Sequence, residues 1–182
     1  MLGFPSRAAL LTPSLLTASL LLPACVSVPP IEGASKGAEV AAPAFPVDRF
    51  FAGRTEGEGV LTVMMSGSRS VRVSSRGRTE PDGAIALDQI IWERGKPARA
   101  RSWRLRQVAP GRYAGTLSDA AGPITGEARG GRLHLRFKTR GGMKVDQWLT
   151  LAPDGRSARN VLRVRKLGLT VVALEETIRK LD

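Results

Sequence analysis

From about residue 50 to the end of the chain, apolar and polar side chains alternate at every second position. In "SWRLRQV", Trp103 and Leu105 fall on one side of a strand and Arg104 and Arg106 on the other. "RLHLRFK" repeats the pattern, with Leu133, Leu135 and Phe137 opposed to Arg132, His134, Arg136 and Lys138. "MKVDQWLTL" is less regular: Met143, Val145, Leu149 and Leu151 share one face, and Trp148 takes the other. Turn-forming runs cut these segments at short intervals, at Pro81-Asp82-Gly83, Pro110-Gly111, Gly130-Gly131, Gly141-Gly142 and Pro153-Asp154-Gly155. Together they predict roughly nine or ten strands between Gly57 and Leu181, joined by consecutive hairpins without a long crossover. The expected fold class is all-β, an antiparallel up-and-down meander. With few helices to cover the apolar strand faces, the sheet has to close on itself or fold over.

The carboxy-terminal stretch "GLTVVALEETIRKLD" supports two readings. Val171, Leu174, Ile178 and Leu181 form a helical stripe, with Glu175/Arg179 and Glu176/Lys180 spaced as helical ion pairs. Against this, Thr170 to Leu174 is rich in β-branched residues, and a meander needs a last strand to cover the open edge of its first. The edge argument favours a final strand beside "GEGVLTVMM", burying Val172, Leu174 and Ile178 and closing a barrel.

Ahead of the strands, Arg7 precedes an apolar run from Ala8 to Leu22 that has the anatomy of a secretory signal peptide. At roughly 15 residues it is shorter than the about 20 needed to span a bilayer. Leu22 and Ala24 before Cys25 resemble the bacterial lipoprotein cleavage box, although Pro23 stands where a small or hydroxyl residue is usual. In such signals the thiol receives a diacylglycerol and the new amino terminus is acylated. Cys25 is the only cysteine, so it has no disulfide partner within the chain. A retained signal anchor and a soluble secreted protein with an incidental cysteine are the alternatives. Resemblance to other lipoproteins, with Ser27 and no aspartate behind the cysteine, implies the outer membrane, facing the periplasm. The expected organisation is a signal peptide over residues 1–24, a lipidated tether of disordering composition over 25–48, and a β-barrel domain over 49–182.

Charge narrows the partners. The chain has 28 Lys and Arg against 16 Asp and Glu, and removing the signal peptide costs only Arg7. Such a balance points to an acidic partner. Export argues against nucleic acid, and 5% aromatic residues offer few stacking platforms. Anionic lipid or lipopolysaccharide phosphates fit better, and a plain solvated surface is the alternative. Arg104, Arg106, Arg132, Arg136, Arg163 and Arg165 alternate with apolar residues and are expected on one wet face.

The residues "FFAGRTEGEGVL", "RSWRL", "YAGTLSDAAGPITGEARG", "DQWL" and "N…RKLGL" resemble, in order, those of a bacterial lipoprotein family catalogued as domain of unknown function 3833. The resemblance spans nearly all of Phe50 to Asp182 and includes Gly57, Arg101, Trp103, Asp146, Trp148 and Asn160. It implies a lipocalin-like barrel and no known activity. "QIIWERGKPARA" replaces an acidic, aromatic hairpin, and Val161 and Leu167 replace an arginine and a phenylalanine. If those positions line a ligand site, the ligand of this chain differs.

Catalytic patterns are scarce. The single histidine, His134, falls on the arginine-bearing face of its strand, and no nucleophile elbow, zinc-binding histidine pair or phosphate loop is present. No metal, cofactor or catalytic set is expected, and the expected function is non-catalytic. Trp92, Trp103 and Trp148, on three strands, are candidates to line an apolar cup with Asp146 and Asn160 as its polar partners. The same tryptophans suit the core of a filled barrel. Two functions follow: a lipid-tethered barrel carrying a small apolar or amphipathic ligand, or a structural protein of the envelope with a basic, lipid-facing surface. An open cup of several hundred Å³ would favour the first.

Overall fold

The computed structural model describes residues 44–182. The expected signal peptide, Cys25 and most of the expected tether lie outside the described residues. A short helix, α1 (Val47–Phe51), is followed by ten strands: β1 (Gly53–Val63), β2 (Gly67–Thr79), β3 (Ile85–Glu93), β4 (Arg99–Ala109), β5 (Arg112–Leu117), β6 (Ile124–Arg129), β7 (Arg132–Lys138), β8 (Lys144–Leu151), β9 (Ser157–Lys166) and β10 (Leu169–Lys180). Each strand pairs antiparallel with its successor, and β10 returns to β1, so the meander closes into a barrel.

The final strand settles the disputed carboxy terminus. It pairs with β1 from Thr55↔Lys180 to Val63↔Val172. Both strands thereby satisfy backbone groups that a helix at this position would have left open. Of the residues that spaced like a helical stripe, Ile178 is buried, while Leu181 lies beyond the strand and is exposed.

Turn residues act as their chemistry predicts. In the β8–β9 turn, Asp154 Oδ1 accepts hydrogen bonds from the backbone N–H groups of Arg156 and Ser157, both at 2.9 Å. Ser157 Oγ donates to Oδ2 at 2.8 Å. These bonds favour the ionised form and hold the carboxyl below its ordinary range.

Packing begins earlier than composition suggests. Phe45 and Val47, in the stretch expected as tether, are each 1% exposed. Phe45, Phe50 and Phe51 form an aromatic cluster, with edge contacts of 5.1 Å between Phe45 and Phe50 and between Phe50 and Phe51. A five-residue helix has little intrinsic stability; burial of these rings holds it in place. It seats against β2, where a Cβ on Gly77 would lie 1.8 Å from the Phe51 carbonyl oxygen. Glycine is required there by the close approach of two backbones.

The rings plug the end of the barrel where β1 begins. Above them sits the main core, which includes Leu87, Trp103, Leu105, Ile124, Leu133 and Leu149. Toward the opposite end, a second cluster of Val71, Val73 and Ile91, with Leu174 against it, is much smaller.

Candidate ligand cavity

Between the two clusters the inward positions turn polar. The alternation that places Leu87 and Ile91 inside β3 also places Gln89 there. By the same rule Ser75 on β2, Arg101 on β4, Gln147 on β8, Asn160 on β9 and Glu176 on β10 point inward. These six side chains line a cavity of about 100 Å³, counted as the space that the centres of water molecules reach. The cavity runs from Phe51 at the plugged end to Leu61, Glu93 and Arg99 at the other.

One side of the layer is built on Gln89. Its Oε1 accepts from Arg101 Nε at 3.0 Å, Arg101 Nη2 at 2.9 Å and Trp103 Nε1 at 2.7 Å. Its Nε2 donates to Ser75 Oγ at 2.9 Å. The Arg101 guanidinium also lies 5.1 Å from the centre of the Trp103 ring. No carboxylate of the described residues comes within ion-pair distance of Arg101. Burial disfavours its charged form and pushes its pKa down to about 10, which still leaves it a cation at neutral pH.

The other side is a relay of amides ending in an acid. Gln147 Nε2 donates to Asn160 Oδ1 at 3.0 Å, and Asn160 Nδ2 donates to Glu176 Oε2 at 2.8 Å. Gln147 Oε1 and Glu176 Oε1 are buried with no hydrogen-bond partner. Desolvation pushes the Glu176 carboxyl above its ordinary value of 4.5, with the Asn160 bond and the charge of Arg101 opposing it. Room for this side chain comes from Gly57 on β1, where an added Cβ would lie 1.9 Å from Glu176 Oε1.

At the end away from α1, Glu93 closes a charged rim. Arg69 Nε donates to its Oε2 at 3.0 Å, and Lys96 and Arg99 approach at 3.4 and 3.6 Å. Burial pushes the Glu93 carboxyl up, but Arg69 and Lys96 outweigh it and hold the group below its ordinary range.

Of the five residues expected to form an apolar cup, Trp103 and Asn160 line the cavity. The other three point away from it. Trp92 lies on the outer face with the Arg72 guanidinium 4.7 Å above its ring. Trp148 stacks on His134 outside the barrel, ring centres 4.8 Å apart. Asp146 sits beside them, 3.0 Å from His134 Nε2 and 3.3 Å from Arg165. The reason is strand parity: Trp92 is one residue from Ile91, and Asp146 and Trp148 flank the inward Gln147.

The six arginines expected on one wet face fall into two groups. Arg132, Arg136, Arg163 and Arg165 lie on β7 and β9 with only β8 between them, Arg136 and Arg163 on either side of Asp146, whereas Arg104 and Arg106 lie apart on β4. Arg104 is occupied by Glu80 and Asp82.

Gln89, Arg101, Gln147 and Glu176 were not among the expected cavity residues. Their signal was a polar side chain at an inward position of an alternating strand, as in Leu174-Glu175-Glu176-Thr177-Ile178.

The family model described as "Protein of unknown function (DUF3833)" matches residues 20–180. The chain belongs to this family. No curated protein matches it in sequence. Among solved structures it is similar to the S-type phycobiliprotein lyase CPES from Guillardia theta, with 8% identity and a TM-score of 0.58 over 75% of this chain and 93% of that one. It is also similar to a protein of unknown function from the DUF3598 family of Nostoc punctiforme, with 10% identity and a TM-score of 0.53 over 81% of this chain and 53% of that one. At such identities the likeness establishes a shared lipocalin-like barrel.

Proposed function

We propose that this family member is a membrane-anchored envelope lipoprotein, facing the periplasm, whose barrel binds or carries a small amphipathic ligand. The polar layer carries the reading. Two buried acceptors without partners, Gln147 Oε1 and Glu176 Oε1, face a cavity that also holds a cation without a paired carboxylate. Each unmet group costs about 1–3 kcal/mol, and barrel closure requires none of them. Water serves such groups in a ligand-free cavity, and a ligand with matching polar atoms displaces it.

The chemistry defines the polar end of that ligand: an acceptor, best an anion, for Arg101, and hydrogen-bond donors for Glu176 and Gln147. About 100 Å³ of space is less than the several hundred Å³ of an open cup, so the cavity seats a small head group and not a whole lipid. An apolar tail would run past Leu61, Val71, Ile91 and Leu174 toward the rim. A filled scaffold barrel is less well supported, because it would place apolar side chains where these polar ones stand. A similar barrel belongs to a phycobiliprotein lyase, so the fold does not exclude catalysis; binding is favoured here because the buried acceptors Gln147 Oε1 and Glu176 Oε1 call for a hydrogen-bonding guest. Anchoring rests on the box at Cys25, and Cys25→Ser should abolish lipid labelling.

N-acylglycines, which combine a carboxylate with an amide donor, serve as probes. In a Trp92→Phe/Trp148→Phe background, the fluorescence of Trp103 should respond saturably, and Arg101→Met should lose the response. Absence of a saturable response, together with no small molecule retained in native mass spectrometry, would remove the carrier reading.

A further inference from the structure

The rim away from α1 differs from the rest of the surface in one respect. Met65 is 97% exposed and Leu167 95% exposed, and each stands at the tip of a hairpin, β1–β2 and β9–β10. They are the two non-glycine residues with positive φ among those described, at 66° and 50°. Glycine or asparagine is the low-cost choice for such a backbone, and a bulky apolar side chain there is unusual. Met64 and Leu169, beside the tips, are also exposed. The two hairpins are neighbours on the rim, because β1 pairs with β10 and Met64 N–H donates to the Val171 carbonyl at 2.9 Å.

Charge is arranged around them with one sign. No Asp or Glu occurs from Gly59 to Thr79 or from Gly155 to Leu174. Lys96, Lys138, Arg140, Lys144 and Lys166 lie in or beside turns at this end. Of the acids at this rim, Glu93 is engaged by Arg69, Lys96 and Arg99, and Asp119 by Arg99. The opposite end mixes the two signs, with Glu80, Asp82, Asp154 and Asp182 set among Arg78, Arg112, Arg129, Arg132 and Arg156 in or beside its turns.

We infer that this rim docks on an anionic phospholipid bilayer, with the Met65 and Leu167 tips inserted at the headgroup–acyl boundary and the surrounding cations facing the lipid phosphates. Two protruding apolar points inside a basic ring suit a fluid interface, which conforms to them, better than a rigid protein partner, which would need a contiguous surface. The inference stands apart from the ligand reading and from the arginines on the strand faces. Where both hold, the cavity end lined by Leu61 and Glu93 faces the bilayer.

The test uses the expected mature chain, residues 25–182, in a Cys25→Ser background, so that neither lipid attachment nor the apolar leader contributes. A single cysteine introduced by Met65→Cys carries an environment-sensitive fluorophore, and Asp82→Cys carries it at the opposite end. With vesicles of phosphatidylethanolamine and phosphatidylglycerol, the label at 65 should shift to the blue and the label at 82 should not. Phosphatidylcholine alone should give a weaker response, and rising salt should diminish it. Leu167→Ser, at an exposed tip where folding is not at stake, should weaken vesicle binding about 10-fold, as expected for losing one inserted side chain. An unshifted label at 65, equal shifts at both ends, or unchanged binding by Leu167→Ser would each overturn the assignment.

Discussion

The two halves of the barrel interior are built differently. Near α1, Phe45, Phe50, Leu133 and Leu149 are almost fully buried, and Trp103 meets Phe137 edge-on at 5.6 Å. Beyond the polar layer the packing is aliphatic and sparser, with Val71, Val73 and Ile91 in a small cluster against Leu174 and with Val145 and Val164 buried further along β8 and β9. The first half stabilises the fold through close packing, and the second leaves volume and polar groups open to a guest. Stability and binding are thus assigned to different lengths of the same strands.

The widest separation between the halves should appear on truncation. Leu133→Ala, in the packed half, is expected to lose about 2–5 kcal/mol of stability in urea unfolding. Val73→Ala, beside the cavity, should lose about 1–2 kcal/mol, since two methyl groups facing existing space leave little new void. Equal losses would break the comparison.

Gly57→Ala comes next. Its methyl group would collide with the buried Glu176 carboxyl, and a loss of about 1–3 kcal/mol is expected. In a Glu176→Ala background the loss should largely vanish, which a double-mutant cycle would read as coupling.

A pH titration sharpens the picture of the layer. Because the Glu176 pKa is raised in the folded state, the folded protein holds a proton that the unfolded chain releases. The contribution of this group is therefore most favourable below the unfolded value near 4.5 and is lost as pH rises through the folded value. Glu176→Gln should remove that slope and raise stability at neutral pH, measured by thermal unfolding across the pH range. A stability profile unchanged by the substitution would place Glu176 in contact with solvent instead.

The smallest effect is expected outside. Trp92→Ala loses the stacking of Arg72 at an exposed position, about 0.5–1 kcal/mol, and should leave probe binding in the cavity unaltered.

Much of this architecture is legible in the residues themselves. Alternation in "RLHLRFK" and the Pro-Asp-Gly turns are local properties: a strand exposes opposite faces at successive positions, and a turn needs particular backbone angles. The strand character of Thr170 to Lys180 was decided by topology against helical spacing, because the edge of β1 needed a partner. The site was less legible. Three tryptophans on three strands suggested a cup, although alternation in "MKVDQWLTL" already set Trp148 on the face opposite Val145 and Leu149. Strand parity alone put Trp103 inside and Trp148 outside. Only closure of the barrel brought Arg101 on β4 into one layer with Glu176 on β10. Residues 75 positions apart in sequence meet there because ten pairings fix their heights, and no local signal encodes that sum.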